Sequence, residues 1–338
     1  MPGASDTAYP RLKANPSAKE LEEIYTPGLA EVEWAQSRSN ARIPRLGLLV
    51  LLKTFQRLGY FIMCDQVPAP IVEHIAVNTG YSGVPDRLAD CDAKAVRNRH
   101  ITLVLDYLNV KGWSKAAEHA MVDACGDAAR TRDDLADIIN VAIEELVRQR
   151  FELPSFSTLL RAARAARTKV NRAYHGMVRQ RLGEDAQEKL RMLITRSPGE
   201  VRSSWDRLKT EPKRPTAQHT ADFLDHLKWL REHSVSAEVF NGVPDAKIKQ
   251  FAAEARSLDL SSIFDCVERK RLTLVAALIV VQIGRALDDA ADMFIRLVQK
   301  VHNHARDALL KDQVDHVERT DVLVSTLRHV TLAYLGEG

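Results

Sequence analysis

Apolar residues along this chain recur at steps of three and four. Leu46, Leu49, Val50, Leu52 and Lys53 stand at helix spacing between Arg45 and Gln56, which predicts a helix that Gly59 ends. Pro68-Ala69-Pro70 opens the next helix, through Ile71, Val72, Ile75 and Ala76 to Gly80. A third runs from about Ala93 to Leu108, with Val96, Ile101, Val104, Leu105 and Leu108 inward. A short helix is expected before these, from Ala18 to Tyr25. Residues 1–20 hold four prolines or glycines and few apolar positions, which reads as a flexible arm.

The same period continues beyond Gly112. An alanine-rich helix is predicted from Lys115 to Asp127. Thr131 is the expected N-cap of the next, with Asp133 and Asp134 favouring the positive helix end. That helix reaches Arg148 and buries Leu135, Ile138, Ile139, Ala142, Ile143 and Leu146. Phe151 to Ser155 reads as a tight turn, and Ser155 or Ser157 caps a helix that continues to about Leu182. On that helix Leu159, Ala163, Ala166, Val170, Tyr174 and Met177 form an apolar stripe, while Arg161, Arg164, Thr168, Arg172 and Arg179 lie on another face. Further helices are expected over Thr216–His233, Pro244–Ser257, Ile263–Leu287 and Asp288–Asp312.

No segment alternates as a strand does. The reading is an all-α fold of several small helical modules, with helix-turn-helix-like units followed by long packed helices. The modules are placed at 21–112 and at 113–210, the second holding the 155–182 helix. The linker-like Lys209–Pro215 leads to a 216–338 linker or dimerisation region.

Composition agrees with this. Of 338 residues, 45% are hydrophobic and only 6% aromatic, with 15 Gly and 13 Pro, which suits helices. The length suggests about two or three domains. Charged residues make up 28%, and no apolar run is long enough to span a bilayer, so no membrane partner is expected. The four cysteines, Cys64, Cys91, Cys125 and Cys266, form no paired motif, and no signal peptide is visible. A reducing cytoplasm is the expected location.

The net charge of +3 conceals its distribution. Between Arg148 and Leu182 stand nine basic residues and one acid, Glu152. Such a block is either a polyanion site or a solvated helix face.

Signals for chemistry are few. Asp133-Asp134-x-x-Asp137 and Asp288-Asp289-x-x-Asp292 resemble the paired motifs of isoprenoid synthases, where carboxylates one turn apart hold magnesium against a diphosphate. No Arg-Arg pair follows the first motif, and its acids double as capping residues. His302 and His304, two apart on a helix, point apart and read as surface residues. There is no Walker loop, nucleophile elbow, H-E-x-x-H or G-x-G-x-x-G.

Several segments together resemble the N-terminal part of the Tn-three family of replicative transposases. Arg57-Leu58-Gly59-Tyr60-Phe61, Val67-Pro68, Ile71 to Ala76 and Arg97 to Leu108 resemble the family's first helical module. Ile143 to Leu146 with Leu153 to Leu159 and the Arg-Ala helix resemble the second. Arg269 to Leu278, Asp292-Met293-Phe294 and His302 to Ala305 are similar to the helical segment beyond.

The resemblance implies sequence-specific binding of double-stranded DNA at transposon terminal inverted repeats, within DNA transposition. It implies a homodimer or a full-length transposase as protein partner. Family members cut and join strands with a carboxylate triad on an RNase-H-like domain far downstream. Magnesium is implied only for the full-length family, and no cofactor is expected in this chain. The chain reads as a natural truncation or a fragment, so no triad is assigned and no activity is expected of it alone.

The expected DNA contacts are Arg161, Arg164, Thr168 and Arg172 for backbone or major groove, and Arg148, Arg150, Lys169, Arg179 and Arg181 for phosphates. Arg97 and Arg99 in the first module are secondary candidates, and Arg45 another. The alternative is a non-catalytic helical interaction protein, or a transposition regulator acting by mixed oligomers through the 263–312 helices.

Overall fold

The computed structural model describes residues 3–81, 88–195 and 203–335. Parts of the expected arm, second module and C-terminal region (1–2, 196–202 and 336–338) lie outside the described residues, as do 82–87. Among the described residues the architecture is all-α, and the only extended pairing is an isolated parallel bridge between Lys111 and Phe151.

The chain divides into two units, Met1–Tyr174 and His175–Gly338. In the first, α1 (Ala18–Glu20) runs into a π turn over Leu21–Tyr25, and α2 spans Leu29–Arg38. Then come α3 (Arg42–Leu58), α4 (Ala69–Asn78) and α5 (Lys94–Leu108). The sequence pattern did not reveal α2 because it buries only Ala35 and so has no apolar stripe. It is held by its polar face. Glu31 accepts the Gly28 N–H at 2.8 Å, pairs with buried Lys53 at 3.3 Å and accepts from Gln56 at 2.7 Å.

Helix α3 is the axis of the first hydrophobic cluster. Leu46 to Leu52 are all buried, against Ile71, Ile75, Cys91 and Val104. A helix apolar on all sides must be surrounded, and α2, α4 and α5 do this. Gly47 lets the segment before α5 approach closely: a Cβ there would stand 2.8 Å from Cys91 Cβ.

A second cluster joins α6 (Lys115–Thr131), α7 (Leu135–Arg148) and the start of α8 (Phe156–Arg181). Thr131 is not the cap of α7. It is the last residue of α6, which continues because Ala128 and Ala129 are buried, and Arg132 then turns extended. Asp134 caps α7 instead, accepting the Ala136 N–H at 2.7 Å.

Part of the N-terminal segment is packed on the first unit. Tyr9 is buried, its ring stacked on Tyr60 at 5.0 Å and tilted on Phe156 at 5.6 Å. Its hydroxyl donates to the Pro154 carbonyl at 3.0 Å, and the Ala8 N–H donates to Asn140 at 2.7 Å. An aromatic ring offers a large area to tie down the chain, and Ala4 and Leu12 pack on the two clusters beside it.

The second unit comprises the end of α8, then α9 (Glu184–Leu193), α10 (Ser204–Leu208), α11 (Ala217–Glu232), α12 (Asp245–Ser257), α13 (Leu260–Asp265) and α14 (Glu268–Leu335). Leu272 to Ile279 of α14 are all buried, and α11 and α12 pack on this stretch. The two helices expected over 263–287 and 288–312 are instead the short α13 and one continuous 68-residue α14. No Pro or Gly stands at Leu287-Asp288 to stop it, and the break falls at Cys266, which is extended.

Candidate nucleic-acid interface

Helices α7 and α8 form a pair joined by a stitched turn. Arg150 adopts a left-handed conformation with φ 57°, which turns the chain out of α7. The Phe151 N–H bonds back to Leu146 at 2.9 Å. Lys111 and Glu152 then exchange backbone bonds with the turn, Lys111 N–H to Arg150 and Glu152 N–H to Lys111, both at 2.8 Å. The Leu153 N–H reaches the Gly59 carbonyl at 2.8 Å. Gly59 sits at φ 72°, and a Cβ there would press on Leu153 at 3.2 Å. Ser155 caps α8 through its carbonyl at 2.9 Å and its hydroxyl at 3.4 Å to Thr158 N–H. The start of α8 is thus fixed to both hydrophobic clusters of the first unit.

Leu159, Ala163, Ala166 and Tyr174 face inward as expected, and Val178 rather than Met177 completes the buried set. Val178 lies one turn beyond Tyr174, so the buried stripe ends on the i+4 neighbour of Tyr174 and not on the i+3 one. On the outer face Arg161, Thr168, Lys169 and Arg172 are exposed and Arg164 is half-buried. Arg161, Lys169 and Arg172 have no ion-pair or hydrogen-bond partner through their side chains among the described residues. Arg164, Ala165, Thr168, Lys169 and Arg172 line a shallow depression. From Arg161 to Arg172 the helix rises about 17 Å at about 1.5 Å per residue.

The other expected contacts sit in different surroundings. Arg148 is exposed but grips Glu145 at 2.6 Å, which draws that carboxyl down to about 2 through its hydrogen bonds to Arg148 and Gln149. Arg150 is exposed on the turn. Arg179, in the second unit, pairs with Glu268 at 3.2 Å, which also binds Arg191 at 2.8 Å. Arg181 donates to the Asn241 carbonyl. Arg97 is half-buried, paired with Asp92 at 3.1 Å and donating to the Ile62 carbonyl at 2.9 Å. Arg99 donates to the Arg38 carbonyl at 3.1 Å, and Arg45 to Ser39 at 3.1 Å. Nothing in residue type distinguishes the engaged arginines from Arg161 and Arg172; only their partners in the fold do.

The first aspartate-rich motif has local roles. Asp134 caps α7, and Asp133 accepts from Asn171 at 2.8 Å. Asp288 and Asp289 line a depression with Arg256 and Arg285. Among the described residues no group of His, Cys, Asp or Glu is arranged to hold a metal ion. No helix of the described residues is long and apolar enough to cross a membrane.

Residues 2–166 match the model of a family described as a domain of unknown function, DUF4158. This match covers the two hydrophobic clusters and ends inside α8. Over 304 residues the chain is 22% identical to the transposase for transposon Tn3926 of Escherichia coli, covering 90% of this chain and 31% of that protein. An all-helical protein with these matches is transposase-related. More particularly, in its motifs and over these matches the chain is similar to the N-terminal region of Tn-three family transposases. It spans about a third of the length of the curated relative it matches.

Proposed function

We propose that this chain binds the terminal inverted repeats of a transposon as the DNA-recognition part of a transposase, working on DNA in the cytoplasm and performing no strand chemistry itself. One observation carries this reading: the first half of α8 presents Arg161, Lys169 and Arg172 exposed and without protein partners, beside Arg164 and Thr168. Desolvated or spent cations cannot attract a polyanion, whereas these keep their charge for one.

In this reading α7 and α8 act as a helix-turn-helix, with α8 in or along the major groove. Its length beyond a usual recognition helix lets it follow the phosphate backbone. Arg148 and Arg150 approach phosphates at the turn, and Arg179 and Arg181 do so only by giving up their present partners. Arg97 and Arg99 are secondary. The modules at 21–112 and 113–210 supply the DNA contacts, and 216–338 serves as linker or dimerisation region. Contact with about six phosphates gives a log K against log salt slope near −5.

The test is the double variant Arg161→Ala with Arg164→Ala. It is expected to weaken binding to a duplex carrying the terminal repeat while helicity and melting stay normal. Unchanged affinity in a folded variant would refute the assignment.

A second reading is favoured by α14. Phe294, Val298, Val301, Leu310, Val314 and Leu327 are all more than about half exposed on it or close to that. This suits a helical interaction protein or a regulator that forms mixed oligomers. It predicts binding to full-length transposase that survives loss of the α8 cations.

A further inference from the structure

An acid on the flank of a DNA-binding surface is an anomaly, because it repels the phosphates that the neighbouring arginines attract. Asp133 is such an acid. It stands just before α7, and its neighbour Asp134 already supplies the cap. Asp133 instead reaches across to α8. Its carboxylate accepts Asn171 Nδ2 at 2.8 Å and lies 3.8 Å from Arg167 Nη1, and its backbone carbonyl accepts from the same Nη1 at 3.2 Å. The side chains are 22% exposed for Asp133 and 35% for Arg167.

Arg167 and Asn171 are one turn apart on α8, at the border between its buried and basic faces. Each directly precedes a residue of the proposed interface: Thr168 follows Arg167, and Arg172 follows Asn171. Successive helical residues are about 100° apart in rotation. Fixing 167 and 171 therefore fixes where 168 and 172 point. Tyr174, one turn further on, adds a bond from its hydroxyl to the Arg130 carbonyl at 3.3 Å. Base readout depends on such orientation, since hydrogen bonds to base edges tolerate little rotation, whereas attraction to phosphate tolerates much.

We infer that Asp133 is a positioning residue for DNA recognition. By holding Arg167 and Asn171 it sets the rotation of the basic face of α8, and its negative charge lowers affinity for DNA of any sequence. This rests on the DNA-binding reading of α8. The two effects of Asp133 have opposite signs and can be separated. Asp133→Asn removes the charge but keeps a side-chain oxygen for Asn171. Asp133→Ala removes both.

The experiment uses the full chain with two duplexes, one carrying the terminal inverted repeat of the element that encodes it and one of shuffled sequence. Binding is followed at fixed salt, and melting is measured alongside. Both variants are expected to bind the shuffled duplex more tightly than the natural chain. Asp133→Asn is expected to keep the repeat-to-shuffled ratio within about twofold, while Asp133→Ala loses about tenfold of it, the scale of one good base contact. Asn171→Ala is expected to reproduce that loss, with no further loss in the double variant with Asp133→Ala. A folded Asp133→Ala protein with an unchanged ratio would overturn the positioning role. Equal loss in Asp133→Asn and Asp133→Ala would also overturn it, because the charge alone would then be responsible. If the natural chain shows no preference for the repeat, the DNA-recognition reading itself fails and this inference with it.

Discussion

Helix α5 and the first part of α8 lie in the same unit and both carry basic residues, yet they use them differently. On α5, Arg97 is enclosed between Asp92 and the Ile62 carbonyl, and Arg99 ties down the end of α2. Beside them His100 is buried, with its Nδ1 lacking a partner, and burial together with the Arg99 charge lowers it to about 4. On α8, Arg161, Lys169 and Arg172 face outward with no partner among the described residues. The comparison teaches that a basic residue becomes a candidate DNA contact through what the fold leaves unsatisfied around it. Local charge density alone does not decide this.

The largest effect expected from breaking this contrast is on stability at α5. Arg97→Ala leaves Asp92 largely buried without its cation, a cost of about 3 kcal/mol. A urea titration should show it as a lowered midpoint, while the salt slope of DNA binding stays unchanged. A change in that slope would move Arg97 into the interface.

His100 gives a pH signature of comparable size. The unfolded chain takes up a proton near pH 6.5, and the folded protein only near about 4. The folded pKa is depressed, so stability is full above pH 6.5 and falls as pH drops toward 4, by about 2–3 kcal/mol. His100→Leu should flatten the stability profile between pH 7 and 4.5. An equally steep loss in that variant would place the acid lability elsewhere.

On α8 the expected effect is on binding and is smaller. Lys169→Ala should weaken binding to repeat and shuffled duplexes alike and reduce the salt slope by about 1, the mark of one phosphate contact. A loss confined to the repeat would instead make Lys169 a base contact.

The smallest effect concerns how α8 is anchored. Tyr9→Phe keeps the ring stack on Tyr60 but loses the hydroxyl bond to Pro154, costing about 1 kcal/mol. Thermal melting should register a drop of a few degrees. No change would mean that the stack alone holds the N-terminal strap.

Much of this fold was legible because long helices advertise themselves. The core face of α7 and most of α8 followed from three-four spacing, and Gly59 and Gly80 marked real ends. What escaped notice depends on contacts distant in sequence. Helix α2 is held by Glu31 meeting Lys53 and Gln56, which no local period announces. The N-terminal strap hinges on one tyrosine meeting Tyr60, Pro154 and Phe156. Thr131 was as good a cap by type as Asp134, and only the buried alanines at the end of α6 decide between them. For the interface, the basic block itself could be read from the sequence. The pairing of Arg179 with Glu268 could not, since the two are far apart in sequence, whereas Arg97 and Arg148 meet acids within five residues.

The central claim is that the unpaired cations of α8, and not the engaged arginines of α5, meet DNA. The most direct measurement compares the salt dependence of duplex binding for the natural chain, for Arg161→Ala with Lys169→Ala and Arg172→Ala, and for Arg99→Ala. Fluorescence anisotropy with the terminal-repeat duplex would supply the slopes. The account predicts that the α8 triple variant loses about 3 from the slope, roughly one per phosphate contact, while Arg99→Ala keeps it. A folded triple variant with the natural slope and affinity would contradict the account.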